Sequence, residues 1–183
     1  VISFDFSGEI KTIVTPSGAH ECRAVILATG AQRRKLGCPG EEAFIGRGVS
    51  YCATCDGAFF KNRTAVVVGG GNTALEDALY LSGLCEKVYL VHRRDRLRGE
   101  KRLADALAQK GNCTPLWNCA VSEILGDKSV TGVRLKNRLT GEESVCETNA
   151  VFVAIGLDPD TGIFRDALRL DEAGYIAAGE DCR

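Results

Sequence analysis

The chain has 183 residues, 45% of them hydrophobic, and a formal net charge of −1 from 23 basic and 24 acidic side chains. This is the composition of an ordinary soluble globular chain of one large or two small domains. It excludes a fibre, a disordered tract and a whole-chain field that would attract nucleic acid or an anionic membrane surface.

No apolar run reaches the roughly 18 residues of a membrane-spanning helix, and Val1-Ile2-Ser3-Phe4-Asp5 lacks the basic region and long apolar core of a signal peptide. Methionine is absent, even at the start, which fits a piece of a longer chain. Nine cysteines, an odd number, do not suit a secreted disulfide scaffold, so the expected compartment is the cytoplasm. Cys22, Cys38, Cys85, Cys113, Cys119, Cys146 and Cys182 are scattered singly and read as reduced small hydrophobes. Cys52 and Cys55 form the one close pair.

In chain order, Glu9 to Thr15 reads as a short strand, Pro16-Ser17-Gly18 as a turn, and the apolar run Ala24 to Ala28 as a buried strand ending at Thr29-Gly30. Residues 31 to 48, with Pro39 among four glycines and the charged patch Arg33-Arg34-Lys35, are the best candidate for an interdomain linker. From Thr64 the pattern becomes alternating strand and helix. Ala65 to Val68 is β-branched, Leu75, Ala78, Leu79 and Leu81 recur at helical spacing, and Val88 to Val91 is apolar again, which makes a βαβ unit. A second helix is predicted over Glu100 to Lys110, stopped by Gly111-Asn112. Ala120 to Leu125, Val130 to Lys136 and Ser144 to Glu147 then form a small meander laid over the sheet, and Ala150 to Ile155 is a last buried strand.

Two segments carry chemistry. Gly69-Gly70-Gly71-Asn72-Thr73-Ala74 lies between the first strand and the helix of the βαβ unit, giving G-x-G-x-x-A in the context that makes it informative. Gly69 permits the turn, Gly71 lets backbone approach a pyrophosphate, and small Ala74 lets helix and strand pack closely. At the end of the next strand an NAD site would place an acid; here the chain reads His92-Arg93-Arg94 and continues to Arg96 and Arg98. Between His92 and Arg102 there are six Lys or Arg against two acids, a local net charge of +4. Guanidiniums grip a 2′-phosphate through charge-assisted hydrogen bonds, so NADP(H) is favoured over NAD(H). Arg96 and Lys101 read better as a solvated basic helix start.

In Cys52-Ala53-Thr54-Cys55 the sulfurs lie one helical turn apart, close enough for reversible oxidation, and Asp56 is an adjacent acid that could carry a proton to or from a sulfur. Half of a zinc site is the competing reading, but no second C-x-x-C appears, and His20 and His92 are the only imidazoles. No metal is assigned.

Cys52-Ala53-Thr54-Cys55-Asp56-Gly57, the glycine turn, and His92-Arg93-Arg94-Asp95 with Arg98 together resemble the low-molecular-weight thioredoxin reductases, as do Ala28-Thr29-Gly30 and Val153-Ala154-Ile155-Gly156, which mark domain crossings there. The resemblance weakens after Asp171. It implies a Rossmann-like flavoprotein fold with two dinucleotide-binding domains: partial FAD-domain strands over 1–34, an NADPH-binding domain with a central parallel sheet and meander over 35–158, and a return to the FAD domain over 159–183. It also implies a relay in which NADPH reduces FAD, the flavin reduces the Cys52–Cys55 disulfide, and the dithiol reduces thioredoxin. In that relay Cys55 faces the flavin, Cys52 attacks thioredoxin and Asp56 carries the proton, while Ala28, Thr29 and Gly30 join the cofactor-binding set.

Family members are homodimers that alternate two domain orientations, which places hinges near 31–36 and 157–162. The family's separate FAD fingerprint is missing, and Ala177-Ala178-Gly179-Glu180-Asp181 has an extra Glu and lies too close to Gly156 to be its closing Gly-Asp motif. The chain is therefore expected to bind NADPH but not to retain FAD or turn over alone. Two rivals remain open: the flavin reductase of a peroxidase system, which prefers NADH, and a non-catalytic nucleotide-binding module with inert cysteines.

Overall fold

The computed structural model describes residues 1–179, and Cys182 and the Glu180-Asp181 pair lie outside them. The chain divides into two compact units, the larger spanning Arg33–Gly156 and the smaller combining Val1–Gln32 with the stretch from Leu157 onward.

In the smaller unit, β1 (Ser3–Asp5), β2 (Lys11–Thr15) and β3 (Gly18–Cys22) form an antiparallel sheet in that order. Thr15 organises the turn between β2 and β3: its hydroxyl accepts from the Ser17 N–H at 3.3 Å and donates to the Gly18 carbonyl at 3.2 Å. Phe4 stacks on Phe6 with ring centroids 4.5 Å apart and lies 5.2 Å from Phe164, giving this unit an aromatic nucleus. The apolar run Ala24 to Ala28 corrects the sequence reading. It forms no strand, and Ile26 is 93% exposed. An apolar run becomes a strand only by pairing, and no described strand is bonded to this one. β4 (Ala31–Arg33) follows.

The larger unit is built on a five-stranded parallel sheet. Its elements are β5 (Val49–Ser50), the one-turn α1 (Ala53–Asp56), β6 (Thr64–Gly69), α2 (Asn72–Ser82), β7 (Lys87–His92), α3 (Lys101–Ala108) and β8 (Cys113–Trp117), followed by β9 (Cys119–Gly126), β10 (Val130–Asn137), β11 (Glu143–Glu147) and β12 (Ala150–Ala154). The sheet order is β5-β12-β6-β7-β8, and β11-β10-β9 form the antiparallel meander. β13 (Leu157–Pro159) belongs to the smaller unit and pairs with β4.

Alternation along β6 explains why this sheet is covered on both faces. Ala65 and Val67 point into a cluster with Leu75, Ala78, Leu81 and Leu90, on the side of α2 and α3. Val66 and Val68 point the other way, into a cluster with Ile124, Val133 and Leu135 of the meander. A strand buried on both faces reads as a continuous apolar run, and each fully buried Val or Leu contributes about 1.5–3 kcal/mol.

The segment expected to be a linker is, from Leu36 onward, seated in the larger unit. Its organiser is Glu41, only 1% exposed. The Glu41 carboxylate accepts from the backbone N–H groups of Leu36 at 2.9 Å and Gly37 at 2.8 Å, and from the Tyr51 hydroxyl at 2.8 Å. Burial, followed by this bond to Glu41, pushes the Tyr51 phenol up to about 12. The folded state thus keeps the Tyr51 proton at pH values where the unfolded chain has lost it. The stabilisation is complete below the phenol's ordinary value of about 10 and is lost as pH rises through that value to about 12. Thermal melts of wild type and Tyr51→Phe across that window should show the wild type losing stability more steeply, and parallel slopes would refute the linkage.

Candidate functional site

At the carboxyl ends of β6, β7 and β12 the larger unit opens into a cleft of about 370 Å³. Its floor is the glycine turn, and each glycine has a distinct reason. A Cβ on Gly69 would lie 2.3 Å from the Ala154 carbonyl oxygen and 2.6 Å from the Ala74 Cβ, so β6, β12 and α2 meet there without room for a side chain. On Gly70 it would strike the His92 ring at 2.3 Å. On Gly71 it would meet no protein atom within 4 Å: the space beside this residue is open.

Thr73 also lines the cleft, whereas Ala74 is buried beneath the turn. Asn72 is engaged elsewhere. Its Oδ1 accepts from the Glu100 N–H at 2.8 Å and its Nδ2 donates to the Glu100 carboxylate at 3.0 Å, tying the first residue of α2 to the start of α3.

His92, at the end of β7, lines the cleft, is 4% exposed and packs edge-on to Trp117 at 6.3 Å. Its Nε2 is a buried polar atom with no hydrogen-bond partner, which in a native site calls for an explanation. Burial, aided by Arg98 and Arg94, holds the imidazole below its usual range, so the ring is neutral near pH 7. Arg93 and Arg98 are exposed and line the cleft; Arg94 is exposed and does not. Arg34 and Leu36 form one wall and Cys119 to Val121 another, and these were missed in the sequence. The signal for Arg34 was present in the patch Arg33-Arg34-Lys35, but it was absorbed into the supposed linker. Ala28, Thr29 and Gly30 lie exposed in the smaller unit, while every residue lining the cleft belongs to the larger one.

The second constellation follows β5. Cys52 and Cys55 are joined as a disulfide, with Cα atoms 5.3 Å apart. Cys52 caps α1, its sulfur accepting from the Cys55 N–H at 3.2 Å, and Asp56 accepts from the Ser50 hydroxyl at 2.6 Å. Neither cysteine lines the cleft. Among the described residues no three His, Cys, Asp or Glu side chains converge as metal ligands.

Elsewhere, burial pushes the thiols of Cys38, Cys85, Cys119 and Cys146 up and that of Cys113 to about 11. These thiols stay protonated and inert near neutrality. No helix of the described residues is long and apolar enough to cross a membrane.

A parallel sheet covered by helices and a meander, opening at a glycine turn, defines a Rossmann-like dinucleotide-binding fold of the flavoprotein type. The chain belongs to the pyridine nucleotide-disulphide oxidoreductase family, whose profile matches residues 2–183.

It is similar to the thioredoxin reductase of Streptomyces coelicolor, 46% identical over 177 residues, which are 96% of this chain and 55% of that protein. Against the thioredoxin reductase of Listeria monocytogenes the identity is 47% over 176 residues, again 96% of this chain and 55% of the relative. The crystal structure of Lactococcus lactis thioredoxin reductase in its FR conformation superposes with a TM-score of 0.87 at 39% identity, covering 99% of this chain and 60% of that one. The chain therefore spans a little over half the length of the curated relatives it matches.

Proposed function

We propose that this chain is the NADPH-binding, dithiol-bearing portion of a thioredoxin reductase. The observation that carries the reading is a cross-linked Cys52–Cys55 pair on the same compact unit as a glycine-floored cleft edged by Arg93 and Arg98.

The cleft suits a dinucleotide phosphate. Gly71 leaves room for a pyrophosphate at the start of α2, the neutral His92 offers an unmatched Nε2, and neither guanidinium of Arg93 and Arg98 is paired with a carboxylate among the described residues. Arg93 and Arg98 would hold the 2′-phosphate, with Arg94 contributing charge from outside the cleft. Asn72 would act through the α2–α3 junction rather than by touching the nucleotide. Held in this cleft, NADPH would supply reducing equivalents as hydride, and a flavin would supply the electron-transfer chemistry between that hydride and the Cys52–Cys55 disulfide. Cys52 then exchanges with thioredoxin, Cys55 recloses the ring, and Asp56 carries a proton.

For the flavin, the smaller unit offers antiparallel strands and, among the described residues, no glycine turn leading into a helix. Ala28-Thr29-Gly30 would border the flavin, whose own dinucleotide fold would lie in the part of the relatives that this chain does not span. Hinges near 31–36 and 157–162, a homodimeric whole protein and a cytoplasmic setting complete the reading. Six described cysteines remain free beside one disulfide, as suits a reducing compartment.

Nucleotide fluorescence titration of the chain should give at least about tenfold tighter binding for NADPH than NADH, and the chain with its dithiol reduced should reduce oxidised thioredoxin. A preference for NADH would favour the peroxidase-linked reductase. Failure to bind either nucleotide, or a dithiol that cannot be reoxidised, would overturn the proposal.

A further inference from the structure

We infer that Ser50 is a positioning residue for the dithiol, holding the Asp56 carboxylate where it can exchange a proton with the cysteine pair. This rests on the dithiol reading above and assigns a task to a side chain outside the C-x-x-C-D motif.

Ser50 is 6% exposed and lies in β5, which pairs with β12 opposite Phe152. Its backbone is therefore fixed by the sheet. Its hydroxyl accepts from the Cys52 N–H at 3.1 Å and lies 2.6 Å from Asp56 Oδ2 and 3.3 Å from the Cys52 carbonyl. An amide N–H can only donate, so one lone pair of Oγ is committed to Cys52. The single hydroxyl proton then goes to the nearer acceptor, the Asp56 carboxylate. The Asp56 N–H donates to the Cys52 carbonyl at 3.1 Å, closing the turn around the same residue. Ser50 thus ties the proton carrier to the peptide of Cys52 and both to a rigid strand, which is how a reacting group is held to the required tolerance. Without the hydroxyl, the half-buried Asp56 side chain can swing toward water and the Cys52 N–H loses its acceptor.

The step it serves is thiol–disulfide exchange. The reduced pair gives up two electrons and two protons and closes its S–S bond; the incoming disulfide opens and takes up both electrons and both protons, so no other oxidant is needed. The attacking thiol must lose a proton and the departing sulfur must gain one, and a carboxyl held beside the pair can relay it.

The test uses the whole chain, reduced, freed of reductant and mixed with either oxidised thioredoxin or glutathione disulfide. Reactions are quenched with acid and alkylated, and closure of Cys52–Cys55 is followed by mass spectrometry, which ignores the other thiols. Ser50→Ala should slow closure about tenfold with both oxidants and Ser50→Thr by less than about threefold, part of the roughly hundredfold or greater effect of a positioned acid–base group. In an Asp56→Asn background, Ser50→Ala should add nothing, because it acts through a group already removed. An equal slowing in both backgrounds would mean that Ser50 only supports the loop, and would overturn the inference. Closure by glutathione disulfide but not by thioredoxin would sink the partner assignment while still judging Ser50. Closure by neither would sink the dithiol reading and this inference with it.

Discussion

Gly69→Ala is expected to destabilise the larger unit by about 3 kcal/mol, roughly a 10 °C fall in its melting midpoint, while Gly71→Ala leaves stability within about 0.5 kcal/mol. The two residues are two positions apart and the chemical change is the same. At Gly69 the new methyl group would sit 2.3 Å from a backbone oxygen of β12 and 2.6 Å from Ala74, and neither atom is the mobile end of a side chain. The strand pair must open at the edge of the cleft. At Gly71 the methyl would enter space that no protein atom occupies, so its cost falls on the ligand proposed to fill that space. Gly71→Ala should therefore weaken NADPH about 100-fold or more in a folded protein, a loss of nearly 3 kcal/mol. Melting curves paired with nucleotide titration check both. An Ala at Gly71 that unfolds the chain, or that binds NADPH normally, would show that the open space is not the pyrophosphate site.

Replacing Arg93 and Arg98 together by Ala should weaken NADPH by about 100- to 1,000-fold and NADH by less than about threefold. Each charge-assisted hydrogen bond is worth about 1.5–3 kcal/mol, and the two are not fully additive because they grip one phosphate. Arg94→Ala should cost NADPH much less, since that side chain does not line the cleft. Adding salt should narrow the wild-type preference, because the guanidiniums are exposed. Equal losses for both nucleotides would place the 2′-phosphate elsewhere.

What was legible in the sequence was whatever is buried on both sides or forced by backbone contact. β6, β7 and β12 announce themselves as apolar runs because helices cover one face and the meander the other. Gly69 and Gly70 of the turn are readable because His92, Ala74 and the Ala154 carbonyl leave no room for side chains at those two positions. Ala24 to Ala28 has the same apolar signature and forms no strand, since composition records what could be buried and not which strands are present to pair with it.

β8 escaped notice because Thr114 and Pro115 break its pattern, which an edge strand tolerates. The stretch after Leu36 looked like a linker from its glycines and proline; one buried carboxylate, Glu41, supplies the order that the local composition conceals. At the dithiol, the cysteines and Asp56 were visible as a motif, whereas Ser50 became meaningful only once its hydroxyl was seen between Asp56 and the Cys52 peptide.

The order of the large sheet sets a timetable for synthesis. β12 lies between β5 and β6, with Ala150 opposite Ala65, so the strand that joins the two sides of the sheet is the last of the five to leave the ribosome. Until it emerges, β5 and β6 have no strand between them, and a nascent chain halted before Ala150 carries the cysteines that follow β5 and the glycine turn that ends β6 on an unfinished scaffold. Pairing between such distant segments is slow, so this body should fold after translation of its own last strand rather than piece by piece.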